Sequence, residues 1–207
     1  MKIFVTGIST GVGKTVVSAI ITEALEADYW KPIQSGDLHA TDSHRVASLI
    51  SNEKTKIHPE SYRLKIPASP HASAAAEGTS ISLNQIKEPK TNNHLVIEGA
   101  GGLLVPLNSK NTIADLIRDD HQVIIVSSNY LGGINHTLLT AEALKSRNRN
   151  IAGIIFSGES NPESESIIES MSGCKILGRI ESEPYFDHNV VSEYAEILRP
   201  ELIKLKS

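Results

Sequence analysis

The stretch "GISTGVGKT", residues 7–15, decides the fold. It follows "MKIFVT", whose Ile3, Phe4 and Val5 suit a buried strand. It leads into "VVSAIITEALEA", which reads as a helix. A strand, a glycine-rich turn and a helix are the context a phosphate loop needs. The plain pattern G-x4-G-K-[ST] is one residue short of this stretch, because five residues separate Gly7 from Gly13. Gly11 and Gly13 still let the backbone bend around phosphate oxygens. The exposed N–H groups and the helix N-terminus then favour bound negative charge. In that reading Lys14 neutralises the terminal phosphates and Thr15 offers a hydroxyl to Mg2+. The bland alternative is a strand-to-helix turn with an incidental Lys-Thr. The motif points to a nucleoside triphosphate and leaves the reaction open.

Working outward, short runs rich in Val and Ile recur with helix-like segments between them. Strands are predicted at 2–6, 28–33, 94–98, 122–127, 151–156 and 174–180. Their mostly continuous apolar character suits strands buried on both faces. Helices are predicted at 14–27, 42–51, 81–87, 112–119, 135–147, 163–171 and 190–204, with Asn111 and Thr112 as capping residues for the fourth. The alternation predicts an α/β fold: one domain over 1–207, P-loop NTPase-like, a three-layer α/β/α arrangement around a mostly parallel central sheet of about seven strands. Ligands of such sheets sit at the strands' C-terminal ends. Residues 52–80, with Pro59, Pro67 and Pro70, read as a long functional loop.

Composition narrows the function classes. The 207 residues, 40% of them apolar, suffice for a real core. The net charge is −4 and basic residues form no stripe, which argues against a nucleic-acid partner. No apolar run is long enough to span a bilayer. The single cysteine, Cys174, rules out a disulfide framework and fits a reducing cytoplasm. Cys174 opens a predicted strand and reads as packing. The immediate entry into a strand leaves no room for a signal peptide, so a cytoplasmic location is expected. The eight histidines show no metal-ligand spacing, and there is no G-x-S-x-G elbow.

Three more segments carry chemistry. In "HLVIEGAGG" (94–102) a hydrophobic strand ends in Glu98, with glycines that suggest close approach to something bound. A carboxylate there is a Mg2+ partner, or else a strand-end Glu facing solvent. In "YWKPIQSGD" (29–37) Lys31 sits near a strand end with Pro32 locking the turn. It is either a surface lysine or a group that stabilises developing charge in phosphoryl transfer. In "SNYLGGINHTLLTAEAL" (127–143) Gly132 and Gly133 precede a helix whose N-terminus suits a carboxylate. Local chemistry leaves an ordinary strand–helix turn equally open there.

Taken together, the segments resemble the dethiobiotin synthetase family. That family shares the longer G-x5-G-K-T spacing. Its "KP-x-x-[ST]-G" reads here as "KPIQSG", its "P-x-SPH-x-x-A" as "PASPHASA" (67–74), and its "EGAGG" and "LG-x-INH" stand at 98–102 and 131–136. The resemblance implies ATP as co-substrate with Mg2+, 7,8-diaminononanoate and CO2 or bicarbonate as the other reactants, and a homodimer. It implies a carbamate, then a carbamic–phosphoric anhydride, then closure of a ureido ring. It places Lys14 and Lys31 as catalytic groups either side of the reacting carbamate and γ-phosphate. It gives the nucleotide Gly11, Val12, Gly13, Lys14, Thr15, Val16, Asp42, Glu98, Gly99, Ala100, Gly101 and Ser157, with Thr15, Asp42 and Glu98 on Mg2+. It gives the substrate Ser35, Thr10 and the segment Gly132, Gly133, Ile134 and Asn135, the last reaching across a dimer interface. Asp37 competes with Asp42 for the metal-side role. Where many members place an adenine-reading Asn, this chain has Ser157-Gly158, and "GRIE" (178–181) lacks a base-pocket Pro. Weak discrimination between ATP and other nucleoside triphosphates is the corresponding expectation. Other readings are a cobyrinic-acid-type amide synthetase, which needs a glutaminase domain for which there is no room, and a partitioning-type switch ATPase. The latter carries a second lysine five residues before the loop lysine, where this chain has Ser9.

Overall fold

Val, Ile and Phe supply the central strands, and the computed structural model buries them completely. It describes residues 1–205. In β1 (Lys2–Gly7) every residue from Ile3 onward is buried. In β7 (His121–Ser127) Val123 to Val126 are all 0% exposed. The chain runs β1, α1 (Lys14–Leu25), β2 (Asp28–Trp30), β3 (Ile33–Ser35), α2 (Asp42–Leu49), β4 (Ile57–His58), β5 (Tyr62–Leu64), α3 (Pro70–Ala76) and β6 (Leu95–Gly102). It continues through β7, α4 (Gly133–Lys145), β8 (Ile151–Ser157), α5 (Pro162–Ser172), β9 (Ile176–Ile180) and α6 (His188–Lys204). Seven strands form one sheet in the order β4-β2-β6-β1-β7-β8-β9. Every pairing in it is parallel.

From central β1 the chain first works outward to β4 on one side and later to β9 on the other. Right-handed crossovers in opposite directions place helices on opposite faces. Accordingly α1 packs with α2 and α6, and α4 packs with α5. The strand order reverses at β1, so the crevice beyond its C-terminal end is where a ligand belongs. The phosphate loop lies there. Among the described residues no helix is long and apolar enough to cross a membrane.

Several local expectations are corrected. The predicted strand 28–33 is two strands, β2 and β3, because Lys31-Pro32 breaks the ladder and β3 pairs with β5 instead. Residues 52–80 contain β4, β5 and α3, the last opened by Pro70 at its first turn. The predicted helices 81–87 and 112–119 shrink to single 3-10 turns at Leu83–Gln85 and Ile113–Leu116. In the first, Ile81 and Ile86 are buried at either end and pin the backbone. In the second, Thr112 and Asp115 cap each other, but buried Ile117 turns extended toward β7. The last strand starts at Ile176, so buried Cys174 precedes it.

Opposite the phosphate loop, at the start of β7, His121 is 2% exposed and stacks on Phe4. Its Nδ1 accepts from the Arg118 N–H at 3.2 Å and its Nε2 donates to Glu88 at 2.9 Å. Both nitrogens are therefore used by the neutral ring. Burial holds its pKa below the ordinary 6.5, outweighing the pull of Glu88. A depressed pKa makes this contribution complete above about pH 6.5, and it is lost as pH falls through the folded-state value. Denaturation midpoints of wild type at pH 7.5 and 5.5 are expected to fall on acidification. His121→Gln should show a smaller fall.

Candidate functional site

The loop after β1 is shaped by two left-handed glycines, Gly11 at φ +76° and Gly13 at φ +91°. Gly13 caps α1, and a Cβ there would lie 2.4 Å from the Ser157 Oγ. Ser157, the last residue of β8, thus abuts the loop. Val12 and Val16 face the core, at 5% and 7% exposure, and fasten the loop and the first turn of α1. Lys14 curls back, and its ammonium donates to the Ser9 carbonyl at 2.9 Å. It is buried, and desolvation lowers its pKa from 10.5 to about 8 despite the attraction of Glu98. A lysine that has lost solvation and has gained no carboxylate in hydrogen-bond contact is prepared for an anion.

Next to it lies a compact charge cluster. In the parallel register Tyr29 stands opposite Val96 and Trp30 opposite Ile97, which carries Lys31 alongside Glu98. Glu98 is 1% exposed. Its Oε1 accepts from the Thr15 hydroxyl at 2.9 Å and from Lys31 Nζ at 3.3 Å. Lys31 also pairs with Asp42. Asp42 opens α2, where Thr41 and His44 form a reciprocal cap. Burial disfavours the Lys31 charge, but Glu98 and Asp42 outweigh it and raise its pKa above 10.5. Burial likewise opposes the Asp42 charge, and Lys31 more than compensates, holding its pKa below 3.8. Asp37, the competing carboxylate, is exposed at φ +49° and lines the adjoining cavity, while Asp42 contacts Lys31 directly.

Lys31 also lines a cavity of about 500 Å³ with Thr10, Ser35, Ala100 and Gly101. The far wall is Pro67–Pro70, and a Cβ on Gly36 would meet Pro67 Cβ at 2.6 Å. The Ser35 Oγ is buried without a hydrogen-bond partner, so it is available to a ligand. Gly99 is hemmed in by Ile113 and Phe4, and Gly101 at φ +67° by Val105 and Thr10. These contacts explain the glycines after Glu98.

Gly132, Gly133, Ile134 and Asn135 are not brought to this cavity. They form the N-terminus of α4, and Gly132 and Ile134 line a separate surface hollow with Tyr130 and Leu131. Leu131 is fully exposed, and Leu104, Leu139, Tyr130 and Ile134 are exposed by 51%, 54%, 42% and 37%. Sequence reading passed over Tyr29, whose hydroxyl donates to Glu98 Oε2 at 2.8 Å, and Gln34, which lines the cavity and accepts from the Asp42 N–H at 3.4 Å. The signal for Tyr29 was alternation: on an extended chain it shares a face with Lys31; Gln34 carried none.

The donors around Thr15 are a hydroxyl and two carboxylates, all oxygen, a set that suits Mg2+ completed by phosphates and water. Among the described residues no group of three His, Cys, Asp or Glu could hold a metal unaided. Fold and site together define a nucleotide-binding α/β protein of the phosphate-loop class. A family model described as an AAA domain matches residues 1–189. MinD of Pyrococcus horikoshii, solved with Mg-ADP, superposes with a TM-score of 0.60 at 13% identity, covering 100% of this chain and 97% of that one. A putative plasmid partition protein of Borrelia burgdorferi, bound to AMPPNP, gives 0.59 at 16% identity over 100% and 98%. Likeness at that identity concerns the fold. The ATP-dependent dethiobiotin synthetase of Christiangramia forsetii is 55% identical over 202 residues, 98% of each chain. That of Cytophaga hutchinsonii is 53% identical over 196 residues, 94% of this chain and 95% of the relative. This chain belongs to the ATP-dependent dethiobiotin synthetase family.

The lowered Lys14 pKa has a measurable consequence. A bound triphosphate restores a counter-charge and raises that pKa, so binding ATP at pH 8.5 should take up protons. Calorimetry of ATP binding in buffers of different ionisation enthalpy is expected to show this uptake, and Lys14→Met should abolish it.

Proposed function

We propose that the chain closes a ureido ring on 7,8-diaminononanoate, using CO2 and ATP and giving dethiobiotin, ADP and phosphate. The observation that carries the reading is Lys31. It is 6% exposed, lies beside Thr15 and Glu98 on the phosphate-loop side, and lines the acceptor cavity on the other. A fixed ammonium between two compartments suits a reaction whose negative charge moves from one to the other.

One amine of the substrate takes up CO2 and loses a proton, giving a carbamate. A carbamate oxygen attacks the γ-phosphorus and the bond to ADP breaks. The second amine attacks the carbamoyl carbon, phosphate departs with the former carbamate oxygen, and the amine proton is released. In this scheme the loop N–H groups of Gly11, Val12, Gly13, Lys14, Thr15 and Val16 cradle the phosphates. Lys14 turns from the Ser9 carbonyl to the γ-phosphate, and Lys31 holds the carbamate oxygens in line. Mg2+, when bound, supplies positive charge to the phosphate oxygens, with Thr15, Asp42 and Glu98 as its protein side. Gly99, Ala100 and Gly101 let the backbone approach, and Ser157 flanks the nucleotide. The unpartnered Ser35 hydroxyl and Thr10 orient the diamine. The substrate carboxylate is taken by Gly132, Gly133, Ile134 and Asn135 of a second copy. That placement is supported by their absence from the cavity lining within one copy and by the exposed Tyr130, Leu131 and Ile134 of their own surface hollow. The whole chain acts as one synthetase domain in the cytoplasm.

Phosphate release from MgATP should require both the diamine and bicarbonate, with dethiobiotin formed in equal amount. Release indifferent to the diamine overturns the reading. Lys31→Ala is expected to lower kcat about 100- to 1,000-fold while ADP affinity changes little. Run with CTP and GTP, the same assay should give efficiencies comparable to ATP, because the base site has no Asn at Ser157.

A further inference from the structure

We infer that Tyr29 is a positioning residue that aims Glu98 at the cation side of the phosphate loop. The inference rests on the reading of Glu98 given above. Tyr29 is 0% exposed, in the middle of the three-residue strand β2. Its hydroxyl donates to Glu98 Oε2 at 2.8 Å, while Oε1 accepts from Thr15 at 2.9 Å and Lys31 at 3.3 Å. The two oxygens therefore have separate duties. Oε2 is tied to the sheet, and Oε1 faces the loop.

The sheet register makes this possible. With Tyr29 opposite Val96, the residue two places further along β6 on the same face is Glu98. The tyrosine reaches forward along the strand axis to it. The last torsion of a glutamate is broad, so packing alone fixes its carboxylate plane weakly. A hydrogen bond from a rigid, buried ring fixes it firmly. The same bond satisfies a hydroxyl that burial would otherwise leave unpaired. A phenylalanine would fill the space equally well, so packing explains the ring and not its oxygen. Partners that orient a metal-binding side chain typically change metal affinity 10- to 100-fold when removed.

The test uses the full chain with ADP and Mn2+ as the probe, free Mn2+ being read by electron paramagnetic resonance. Tyr29→Phe is expected to weaken Mn2+ binding about tenfold, with ADP affinity in the absence of metal unchanged. Glu98→Gln should weaken it at least as much. Adding Tyr29→Phe to Glu98→Gln should weaken it no further, the signature of a residue acting through another. Wild-type Mn2+ binding in Tyr29→Phe, beside a weakened Glu98→Gln, overturns the role of Tyr29 and leaves the reading of Glu98 standing. Unchanged binding in Glu98→Gln overturns that reading itself. If Tyr29→Phe does not fold, the wild-type chain still decides. The buried Tyr29 hydroxyl proton should shift in the NMR spectrum with MgADP and not with ADP alone, and identical spectra overturn the inference.

Discussion

Charge placed where water cannot reach it is the constraint on which the rest of the site depends. Lys14, Lys31 and Glu98 are each under 10% exposed, and Asp42 completes the group. An isolated buried ion is strongly disfavoured, so each must find a partner or lose its charge. Lys31 is paired twice, to Glu98 and Asp42, and keeps its proton firmly. Lys14 is left with a carbonyl and holds its proton weakly. In the proposed reaction a triphosphate would supply the negative charge beside Lys14, and Lys31 would turn toward a second anion in the neighbouring cavity.

The topology exists to bring these groups together. Lys14 and Thr15 open α1, Lys31 directly follows β2, Asp42 opens α2 and Glu98 lies within β6. Four elements from across the first hundred residues converge because β1, β2 and β6 are neighbours in the sheet and all run parallel. The fold is shared with partition and cell-division ATPases, yet only fold passes across at 13–16% identity. In this chain the Ser9 carbonyl receives the Lys14 ammonium.

Much of this was legible in the sequence, and for physical reasons. Short continuous Val/Ile runs alternating with helix-like segments suit strands buried on both faces, so the parallel sheet was expected. The strand–loop–helix at 7–15 was legible from its glycines, whereas Glu98 stood open until the structure showed it buried rather than facing solvent. What sequence missed depended on tertiary competition. Thr112 and Asp115 carry the signature of a helix start, but burial of Ile117 stops the helix after one turn. Residues 52–80 looked irregular because their strands have two and three residues, too short to show a period. Alternation puts Tyr29 on the face of Lys31, but it does not reveal that the tyrosine hydroxyl meets a carboxylate 69 residues away. The segment "PASPHASA" was recognised as a motif, and only the structure made Pro67–Pro70 a cavity wall.

The central claim is that one anion, formed in the cavity beside Ser35, attacks the phosphate held by the loop, with Lys31 between them. Isotope transfer tests it directly. A single turnover with 18O-labelled bicarbonate, ATP and the diamine, started before label exchanges with water, should place one labelled oxygen in the released phosphate. That oxygen can arrive there only by bridging carbon and phosphorus. Dethiobiotin formed with wholly unlabelled phosphate would contradict the account, because water would then have attacked the phosphorus and the two compartments would not communicate through a shared oxygen.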